Sequence, residues 1–335
     1  MKNAYAIIDL QFGSTGKGLL AGYLAARNKP DGVVCAFGPN AGHTYIDAHG
    51  RKFVHVMLPM GFMTANYVLF GPGSVVHPGI LEDEILHARD CGFHNFQVAI
   101  HENAAVVCER HREAEATGNV IGSTAKGMGA ALIEKISRRG SNVARIELRD
   151  TALEGMVVSV PAYNDIVDSI DLMQIEGAQG HSLSVHHGFW PYTTSRDCSI
   201  WQLMADCGLP WRNGVALKPV SVYGTCRTYP IRVNNRGHSS GPGYPDQTEI
   251  GWPDIGLQPE LTTVTRLPRR LFTFSEQQIR EAIRLNGVDG VFLNFANYDK
   301  NGRLVSMIED VIKRAGSRVR WMGYGPTDRD VRAVA

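Results

Sequence analysis

Several features that would assign a broad class are missing from this 335-residue sequence. No apolar run reaches the roughly 18 residues that a membrane-spanning helix needs, and Met1 leads almost directly into a short apolar segment without a signal-peptide pattern. No charge of one sign dominates, because 34 basic residues balance 33 acidic ones and the net charge is +1. A protein without a basic field is a poor general binder of nucleic acid. We therefore expect a cytoplasmic protein whose partners are neither membranes nor nucleic acids.

Closely spaced cysteines are absent as well. The six cysteines are Cys35, Cys91, Cys108, Cys198, Cys207 and Cys226. Their scatter lacks the spacing of a zinc site and is typical of reduced thiols in a cytoplasmic protein. The length indicates either two domains or one large α/β domain with insertions. Since there are no internal repeats or low-complexity tracts, we expect a single domain over residues 1–335 with loop insertions.

Short apolar runs alternate with segments of helical periodicity. Strands are predicted at residues 4–10, 32–37, 67–70, 96–100, 173–175, 217–222, 291–294 and 318–322, with a hairpin over 45–56. Helices are predicted at residues 19–27, 80–89, 130–138, 195–207, 275–286 and 304–315, with a long mobile loop at 233–254. We expect the second strand to lie directly beside the first, and Ser195 to cap its helix. This order indicates an α/β fold around a central, largely parallel sheet, with ligands bound beyond the carboxyl ends of the strands.

The first strand leads into a glycine-rich segment, which we call the phosphate loop. Residues 11–18 read Gln-Phe-Gly-Ser-Thr-Gly-Lys-Gly, and a helix follows. Strand, glycine turn and helix together direct backbone N–H groups and a helix N-terminus at a phosphate, and Lys17 adds a positive charge. The segment is not a regular Walker motif, because position 11 is Gln rather than Gly and Gly18 replaces Ser or Thr. It predicts a P-loop-like nucleotide-binding fold.

Taken together, the glycine-containing motifs resemble those of the adenylosuccinate synthetase family. The family's Gly-Asp-Glu-Gly-Lys-Gly corresponds to residues 13–18, and its Asn-Ala-Gly-His-Thr and Glu-Gly-Ala-Gln-Gly stand unchanged at residues 40–44 and 176–180. Further similar motifs lie at residues 122–127, 138–140, 190–195 and 324–326. The resemblance keeps the order of the motifs and spans nearly the whole chain.

The resemblance implies a two-step reaction. A γ-phosphoryl group moves from a nucleoside triphosphate to O6 of a 6-oxopurine nucleotide, and the amino group of aspartate then displaces it. Such a reaction needs a phosphate cradle, a cation and in-line placement, with Mg²⁺ bridging the phosphates. The family pattern also implies a homodimer, in which Arg138 reaches the acceptor phosphate bound by the neighbouring subunit.

Matching positions imply the roles of individual residues. The catalytic candidates are Ser14, Lys17, His43 and Gln179. The triphosphate-binding candidates are Gly13, Thr15, Gly16, Lys17, Gly18, Gly42, His43, Thr44, Arg269, Asn294, Phe295, Asn297, Gly325 and Pro326. The acceptor-binding candidates are Ser14, Asn40, Ala41, Ser123, Thr124, Arg138, Gln179 and Thr194. The aspartate-binding candidates are Thr263, Val264, Thr265, Arg266 and Arg269, and the Mg²⁺ candidates are Ser14 and Gly42.

Three of these roles carry specific chemistry. Lys17 would neutralise the transferred phosphoryl group, and His43 would be the general acid at the leaving diphosphate. Arginines suit a dicarboxylate because a guanidinium binds a carboxylate through two hydrogen bonds. The family's first aspartate-binding arginine falls on Leu267, however, and Arg266 lies one place earlier, so its role stays open.

The first departure from the family pattern is Ser14. The family has an aspartate there, which acts as general base on N1–H of the purine and as a Mg²⁺ ligand. Serine removes the charge and leaves room beside C2, so a 2-amino purine would fit, as in a viral (phage) branch of the family that joins aspartate to dGMP and carries this serine. We therefore expect dGMP as the acceptor. An ordinary synthetase acting on IMP with a displaced base and a non-catalytic purine-nucleotide sensor remain the alternatives.

The second departure lies at residues 294–297, which read Asn-Phe-Ala-Asn. The family selects GTP there through the carboxylate of Thr-Lys-x-Asp. The side chain of Asn297 offers one acceptor and one donor, which matches N6–H₂ and N1 of adenine, and Phe295 offers a stacking surface. We therefore expect ATP or dATP as the phosphate donor, although a simple turn residue would also be asparagine.

Overall fold

The computed structural model describes residues 1, 3–117, 125–210, 220–234, 239–262 and 267–334. The strands are β1 (Asn3–Asp9), β2 (Gly32–Cys35), β3 (His43–Ile46), β4 (Lys52–His55), β5 (Tyr67–Phe70), β6 (Val75–Val76), β7 (Gln97–His101), β8 (Ala105–Val106), β9 (Val157–Val158), β10 (Leu172–Glu176), β11 (Ser221–Arg227), β12 (Ile231–Arg232), β13 (Glu249–Ile250), β14 (Arg270–Phe272), β15 (Gly290–Asn294), β16 (Val319–Gly323) and β17 (Val331–Ala333). The helices are α1 (Lys17–Asn28), α2 (Pro78–Asp90), α3 (Glu109–Thr117), α4 (Met128–Ser137), α5 (Ala144–Glu147), α6 (Val160–Ser169), α7 (Ile200–Asp206), α8 (Glu276–Asn286) and α9 (Arg303–Arg314).

One large sheet forms the centre of the described structure. Its strand order is β17-β16-β15-β11-β1-β10-β2-β5-β7-β9. Neighbouring strands are parallel except at the β16–β17 edge, where they are antiparallel. This confirms the predicted α/β fold with a largely parallel sheet. Because the carboxyl ends of parallel strands meet at one edge, the loops after β1, β2, β10, β11, β15 and β16 share that edge.

Both faces of the sheet are covered by helices, and the residues of β1 contribute to the core on each face. Its residues alternate, so that Ala6 and Ile8 belong to one core cluster while Tyr5 and Ile7 belong to the other. Helices α6 to α9 contribute to the first cluster and α1 and α2 to the second. The short apolar runs of the sequence are therefore strands buried on both faces. No helix in the described part of the chain is both long and apolar enough to span a membrane.

The predicted position of the second strand was wrong. Strand β10 lies between β1 and β2. It pairs with residues Asn3 to Ile7 of β1 and with all of β2. Met173 and Ile175 of β10 are fully buried, so this strand occupies the middle of the sheet although it comes late in the chain. A long connection can return a strand to the sheet centre, and chain order alone does not reveal this.

Two further predictions need correction. Helix α7 begins at Ile200 rather than near Ser195, and Ser199 is its N-cap. The preceding residues stay outside the helix because Asp197 and Arg196 bond neighbouring loops through their side chains. In the described part of the predicted loop at 233–254, β13 pairs with β14 and a 3₁₀ turn follows, so this segment is partly ordered by sheet formation.

Candidate active site

The phosphate loop folds around the carboxylate of Asp9. One carboxylate oxygen accepts hydrogen bonds from the backbone N–H groups of Gln11 (2.8 Å) and Gly13 (3.2 Å). The other accepts from the hydroxyl of Thr15 and from Lys17 Nζ, the latter at 3.1 Å. Asp9 is only 2% exposed, and burial strengthens such contacts. The sequence prediction missed this residue, although an acidic side chain within an apolar strand was a visible signal.

Lys17 joins the phosphate loop to the loop that follows β10. Besides contacting Asp9, its buried ammonium donates to the backbone carbonyl of Gln179 at 2.7 Å. The next residue, Gly180, packs so closely that a Cβ there would lie 2.4 Å from both the Asp9 Oδ1 atom and the Gln11 carbonyl oxygen. Only glycine fits this position, so the two loops are in direct backbone contact.

The start of α1 is held by two other close approaches. Gly16 caps the helix with φ 95°, and a Cβ there would lie 2.2 Å from Nδ2 of Asn294. That amide donates to the Thr15 carbonyl at 3.2 Å. At Gly18 a Cβ would lie 2.8 Å from the backbone of Thr44. The buried Asn294 side chain is thus engaged with the phosphate loop, while Thr44 is exposed beside the helix N-terminus.

His43 lies buried at the start of β3. Its ring stacks on Phe37 with centroids 4.2 Å apart and planes 7° apart. Burial, followed by the charges of Lys17 and His55, lowers the pKa of His43 to about 3. The imidazole is therefore neutral near pH 7, and its Nε2 atom has no hydrogen-bond partner among the described residues. A neutral imidazole with N–H at that position donates a hydrogen bond to a phosphate oxygen without a proton being added first.

Three of the predicted acceptor residues form a chain of hydrogen bonds. Gln179 Nε2 donates to Asn40 Oδ1 at 3.0 Å, and Asn40 Nδ2 donates to the hydroxyl of Thr194 at 3.4 Å. The Oε1 atom of Gln179 is buried without a partner in the described part of the chain. Ala41 is half-buried, whereas Ser14 is exposed on the phosphate loop with φ 56°. The chain of amides leaves one acceptor available to a ligand.

The predicted donor-base residues lie at adjacent strand ends. Phe295 follows β15 with φ 58°, and the Thr228 hydroxyl donates to its carbonyl at 2.9 Å. Asn297 is exposed in the 3₁₀ turn that comes next. Gly325, half-buried, and Pro326, exposed, follow β16, the parallel neighbour of β15. The structure therefore brings these segments to the sheet edge that carries the phosphate loop.

The predicted aspartate site is described only in part. The following predicted residues lie outside the described ranges: Ser123, Thr124, Thr263, Val264, Thr265 and Arg266. Leu267 and Arg269 are half-buried, and the Arg269 N–H donates to the Glu260 carbonyl at 2.8 Å. Burial is the main cause that lowers the pKa of Arg269; the charge of Glu260 opposes this shift, and the charge of Arg227 adds to it. A bound dicarboxylate would stabilise the charged guanidinium of Arg269.

An ion pair between Arg227 and Glu260 lies beside this segment, and the sequence prediction missed it. Arg227 is fully buried and binds the carboxylate through both terminal nitrogens, one at 3.2 Å. Burial alone would raise the pKa of Glu260, but the charge of Arg227 and hydrogen bonds from Arg227 and Tyr298 outweigh it and lower the pKa. No local motif joins residues 33 positions apart, so only the fold reveals the pair.

Arg138 stands apart from the other predicted residues. It is exposed and ends α4 in a left-handed conformation with φ 56°. Two isoleucines of the same helix are also exposed, Ile133 by 69% and Ile136 by 76%. An apolar helix face beside an exposed arginine is typical of a surface that another chain covers.

The site can bind phosphate and carry out its transfer. Backbone N–H groups of the phosphate loop, the α1 N-terminus and Lys17 supply fixed positive charge, which is the main requirement for phosphoryl transfer. For Mg²⁺ the available oxygens are the exposed Gly42 carbonyl and the Ser14 hydroxyl, because both oxygens of Asp9 are already engaged. Within the described ranges, no cluster of three His, Cys, Asp or Glu side chains could hold a metal. These neutral oxygens fit Mg²⁺ only as part of a metal–phosphate complex.

Comparison with known proteins identifies close relatives. The sequence profile of adenylosuccinate synthetase matches residues 6–174 and 152–301 of this chain. The N6-succino-2-amino-2'-deoxyadenylate synthase of cyanophage S-2L is 46% identical over 340 residues, which cover 99% of this chain and 92% of that protein. The enzyme of the same name from Acinetobacter phage SH-Ab 15497 is 43% identical over 361 residues, covering 97% and 92%.

Solved structures agree with these sequence relationships. The succinoaminodeoxyadenylate synthetase of cyanophage S-2L, bound to dGMP and to dATP as an energy donor, matches with a TM-score of 0.93 and 46% identity, over 99% of this chain and 95% of that one. The fully ligated adenylosuccinate synthetase of Plasmodium falciparum is 18% identical and shares the fold, with a TM-score of 0.78 over 99% of this chain and 100% of that one. With the profile covering most of its length and a relative that is 46% identical over 99% of it, this chain belongs to the adenylosuccinate synthetase family.

Proposed function

We propose that this protein is a ligase that joins L-aspartate to dGMP, with ATP or dATP as the phosphate donor. In the first step, the γ-phosphoryl group is transferred to O6 of the guanine base and ADP or dADP leaves. In the second step, the aspartate nitrogen bonds to C6, the C6–O6 bond breaks and phosphate departs with O6. The product is 2-amino-2'-deoxy-N6-succinyladenylate, a precursor for DNA in which diaminopurine replaces adenine.

The observation that carries the choice of acceptor is Ser14. It occupies the exposed top of the phosphate loop in a left-handed conformation, where the family pattern has a carboxylate. A carboxylate would accept from N1–H and crowd a substituent on C2, whereas a hydroxyl leaves room for the 2-amino group. The relative that is 46% identical and was solved with dGMP and dATP supports the same acceptor.

The residues of the site suit the first step. Lys17 is held between Asp9 and the Gln179 carbonyl, so its positive charge is fixed beside the phosphate loop. Neutral His43 would donate a hydrogen bond from Nε2 to the leaving diphosphate. It would first act as a hydrogen-bond donor and transfer its proton only as charge develops on the diphosphate. Fixed donors of this kind stabilise charge that develops in the transition state.

Magnesium is the expected cofactor. When bound, Mg²⁺ neutralises phosphate oxygens and polarises the phosphorus centre. The Gly42 carbonyl and the Ser14 hydroxyl would be its protein ligands, and the remaining ligands would be phosphates and water. Replacing the family's aspartate by Ser14 removes a charged ligand, so we expect metal affinity to depend strongly on the bound nucleotides.

Phosphate release tests the proposal directly. We expect the purified protein to release phosphate only when dGMP, L-aspartate, ATP and Mg²⁺ are all present, and to act less efficiently on IMP than on dGMP. A preference for IMP would make it an ordinary adenylosuccinate synthetase. Nucleotide binding without any phosphate release would make it a sensor.

The same assay tests the donor. Exposed Asn297 carries one donor and one acceptor group and Phe295 a planar ring, which together suit adenine better than guanine. Turnover with ATP or dATP and little with GTP is the expected result. Turnover with GTP alone would contradict the assignment, and the ratio of ATP to dATP rates would settle the preferred sugar.

We propose that the protein acts as a homodimer of single-domain subunits in the host cytoplasm. The exposed Ile133 and Ile136 would be covered by the partner, which places Arg138 at the interface. Sedimentation velocity should then give the mass of two chains. A monomer with full activity would exclude a role for Arg138 across the interface.

A further inference from the structure

We propose that Arg227 is a positioning residue that holds the acceptor, donor-base and aspartate segments in one arrangement, with Glu260 as its counter-ion. The proposal rests on the ligase function argued above. It concerns a residue that ends β11, one strand away from the phosphate loop, and that no sequence motif indicated.

The backbone of Arg227 is tied to the phosphate loop. Its N–H donates to Gln11 Oε1 at 2.9 Å, and its carbonyl accepts from Gln11 Nε2 at 3.2 Å. The guanidinium reaches further along the same loop, where Nη1 donates to the Ser14 carbonyl at 3.3 Å. Ser14 is the residue that we expect beside the purine, so Arg227 fixes the backbone on which acceptor choice depends.

The other face of the guanidinium contacts the donor-base segment. The Phe295 ring lies under it at 3.8 Å from the ring centroid, within cation–π range. Phe295 holds a left-handed conformation, and Thr228, the next residue after Arg227, donates to its carbonyl. Arg227 and Thr228 therefore set the position and tilt of the Phe295 ring, which is the predicted stacking surface.

Glu260 connects the pair to the aspartate segment. Its carboxylate binds Arg227 through two hydrogen bonds and accepts a third from the Tyr298 hydroxyl at 2.9 Å. Its backbone carbonyl accepts from the N–H of Arg269, the described candidate for binding aspartate. One buried guanidinium thus contacts the acceptor and donor-base segments directly and the aspartate segment through Glu260. A shift of one segment would therefore displace the others.

A comparable ion pair elsewhere in the chain serves as a control for effects on stability alone. Arg27 binds the Asp328 carboxylate through two hydrogen bonds of 2.9 and 3.0 Å and lies over the Tyr23 ring at 3.4 Å. It has the same components as the Arg227 cluster, although the Arg27 side chain is 45% exposed and that of Arg227 is buried. It sits near the far end of the 12-residue helix α1, about 15 Å along the axis from the phosphate loop.

The test compares Arg227→Lys with Arg27→Lys in the full-length enzyme. Lysine keeps the charge but cannot bind two carboxylate oxygens while lying flat on a ring. For Arg227→Lys we expect the KM values for ATP and for aspartate to rise together by about tenfold, with a smaller change in kcat. Arg27→Lys should alter thermal stability only. Unchanged constants for Arg227→Lys, or a rise in just one KM, would overturn the proposal.

A milder variant and a second readout complete the test. Tyr298→Phe removes one donor to Glu260 without leaving a charge unpaired, and should raise the same two KM values by about threefold. Assaying both variants with IMP as well as dGMP separates the positioning role of Arg227 from the choice of dGMP as acceptor. The KM values for ATP and aspartate should rise together with whichever acceptor the wild type prefers. If the wild type shows no turnover, calorimetry should still show about tenfold weaker ATP binding by Arg227→Lys, and unchanged binding would refute the role.

Discussion

The floor of the site and its rim are built differently. The floor, made by Asp9, Thr15 and Lys17, is buried, and its opposite charges are in contact. The rim, made by Ser14 and Asn297, is exposed to solvent. Charge that is fixed and dehydrated suits the transfer of a phosphoryl group, which is common to the family. Exposed side chains suit the choice of base, which can differ between members without disturbing the fold.

Removing the floor's cation should have the largest effect. We expect Lys17→Met to lower kcat about a thousandfold, because a preorganised positive charge is lost where the transition state carries negative charge. Phosphate release at saturating substrates measures this. Lys135→Met is a matched control, since Lys135 is another partly buried lysine whose ammonium contacts a backbone carbonyl, that of Pro72. A loss of less than tenfold in Lys17→Met would show that the floor is not the main source of catalysis.

The second-largest effect is expected from removing the carboxylate of Asp9, and it should be a loss of stability. Asp9→Asn leaves the Lys17 ammonium buried without its counter-charge, and breaking such a pair costs about 3 kcal/mol of unfolding free energy. Urea unfolding measures the loss. The double variant with Lys17→Met should lose less than the sum of the two single losses, because the residues are coupled. Asp328→Asn, which also removes a buried carboxylate, should destabilise the protein and leave kcat unchanged.

At the rim we expect a change of substrate without a change of stability. Ser14→Asp should lower the ratio of kcat/KM for dGMP over IMP by roughly ten- to a hundredfold, as restored negative charge favours N1–H and crowds the 2-amino group. The left-handed backbone at position 14 tolerates Asp and Asn well. Ser14→Asn supplies the shape without the charge and should lower the ratio by less than Ser14→Asp, because it crowds the 2-amino group but brings no negative charge to favour N1–H. Equal ratios in all three proteins would contradict our assignment of the rim.

Near neutral pH, a change of pH should have the smallest effect on stability, because the histidine contributions begin only below about pH 6.5. His43 has its pKa lowered to about 3, and His55 and His181 to about 4, in each case mainly by burial. The unfolded chain takes up these protons near pH 6.5, so it binds more protons than the folded chain and stability falls as the pH drops from 6.5 toward 3. Each histidine contributes at most about 1.4 kcal/mol per pH unit. His43→Asn should flatten the slope.

How much the sequence predicted depended on how local the determinant was. The strand–glycine–helix pattern located the phosphate loop, and Ser275 and Gly287 were correctly predicted as the caps of α8. The insertion of β10 beside β1 was not predictable, because it depends on a connection of more than a hundred residues. Helix α3 went unnoticed because its apolar period is weak and His111 is its one buried residue. Helix α6 was missed although its N-cap Ser159 and the proline in its first turn were visible signals.

The same distinction holds within the site. Motifs located the loops, but not the contacts that fix them. Asp9 was visible as an acidic residue in an otherwise apolar run, but its role depends on Lys17 and Thr15 folding back onto it. Arg227 and Glu260 meet only because β11 ends beside the segment that precedes β14. Charge pairs formed by tertiary folding carry no periodic signal in the chain.

Gly180 also limits how this enzyme can diversify. With no space for even a methyl group against Asp9 and Gln11, a substitution there must displace the loop that carries the catalytic charges. Substitutions that change the choice of nucleobase are therefore expected at exposed positions, while the buried residues beside the phosphate loop stay the same.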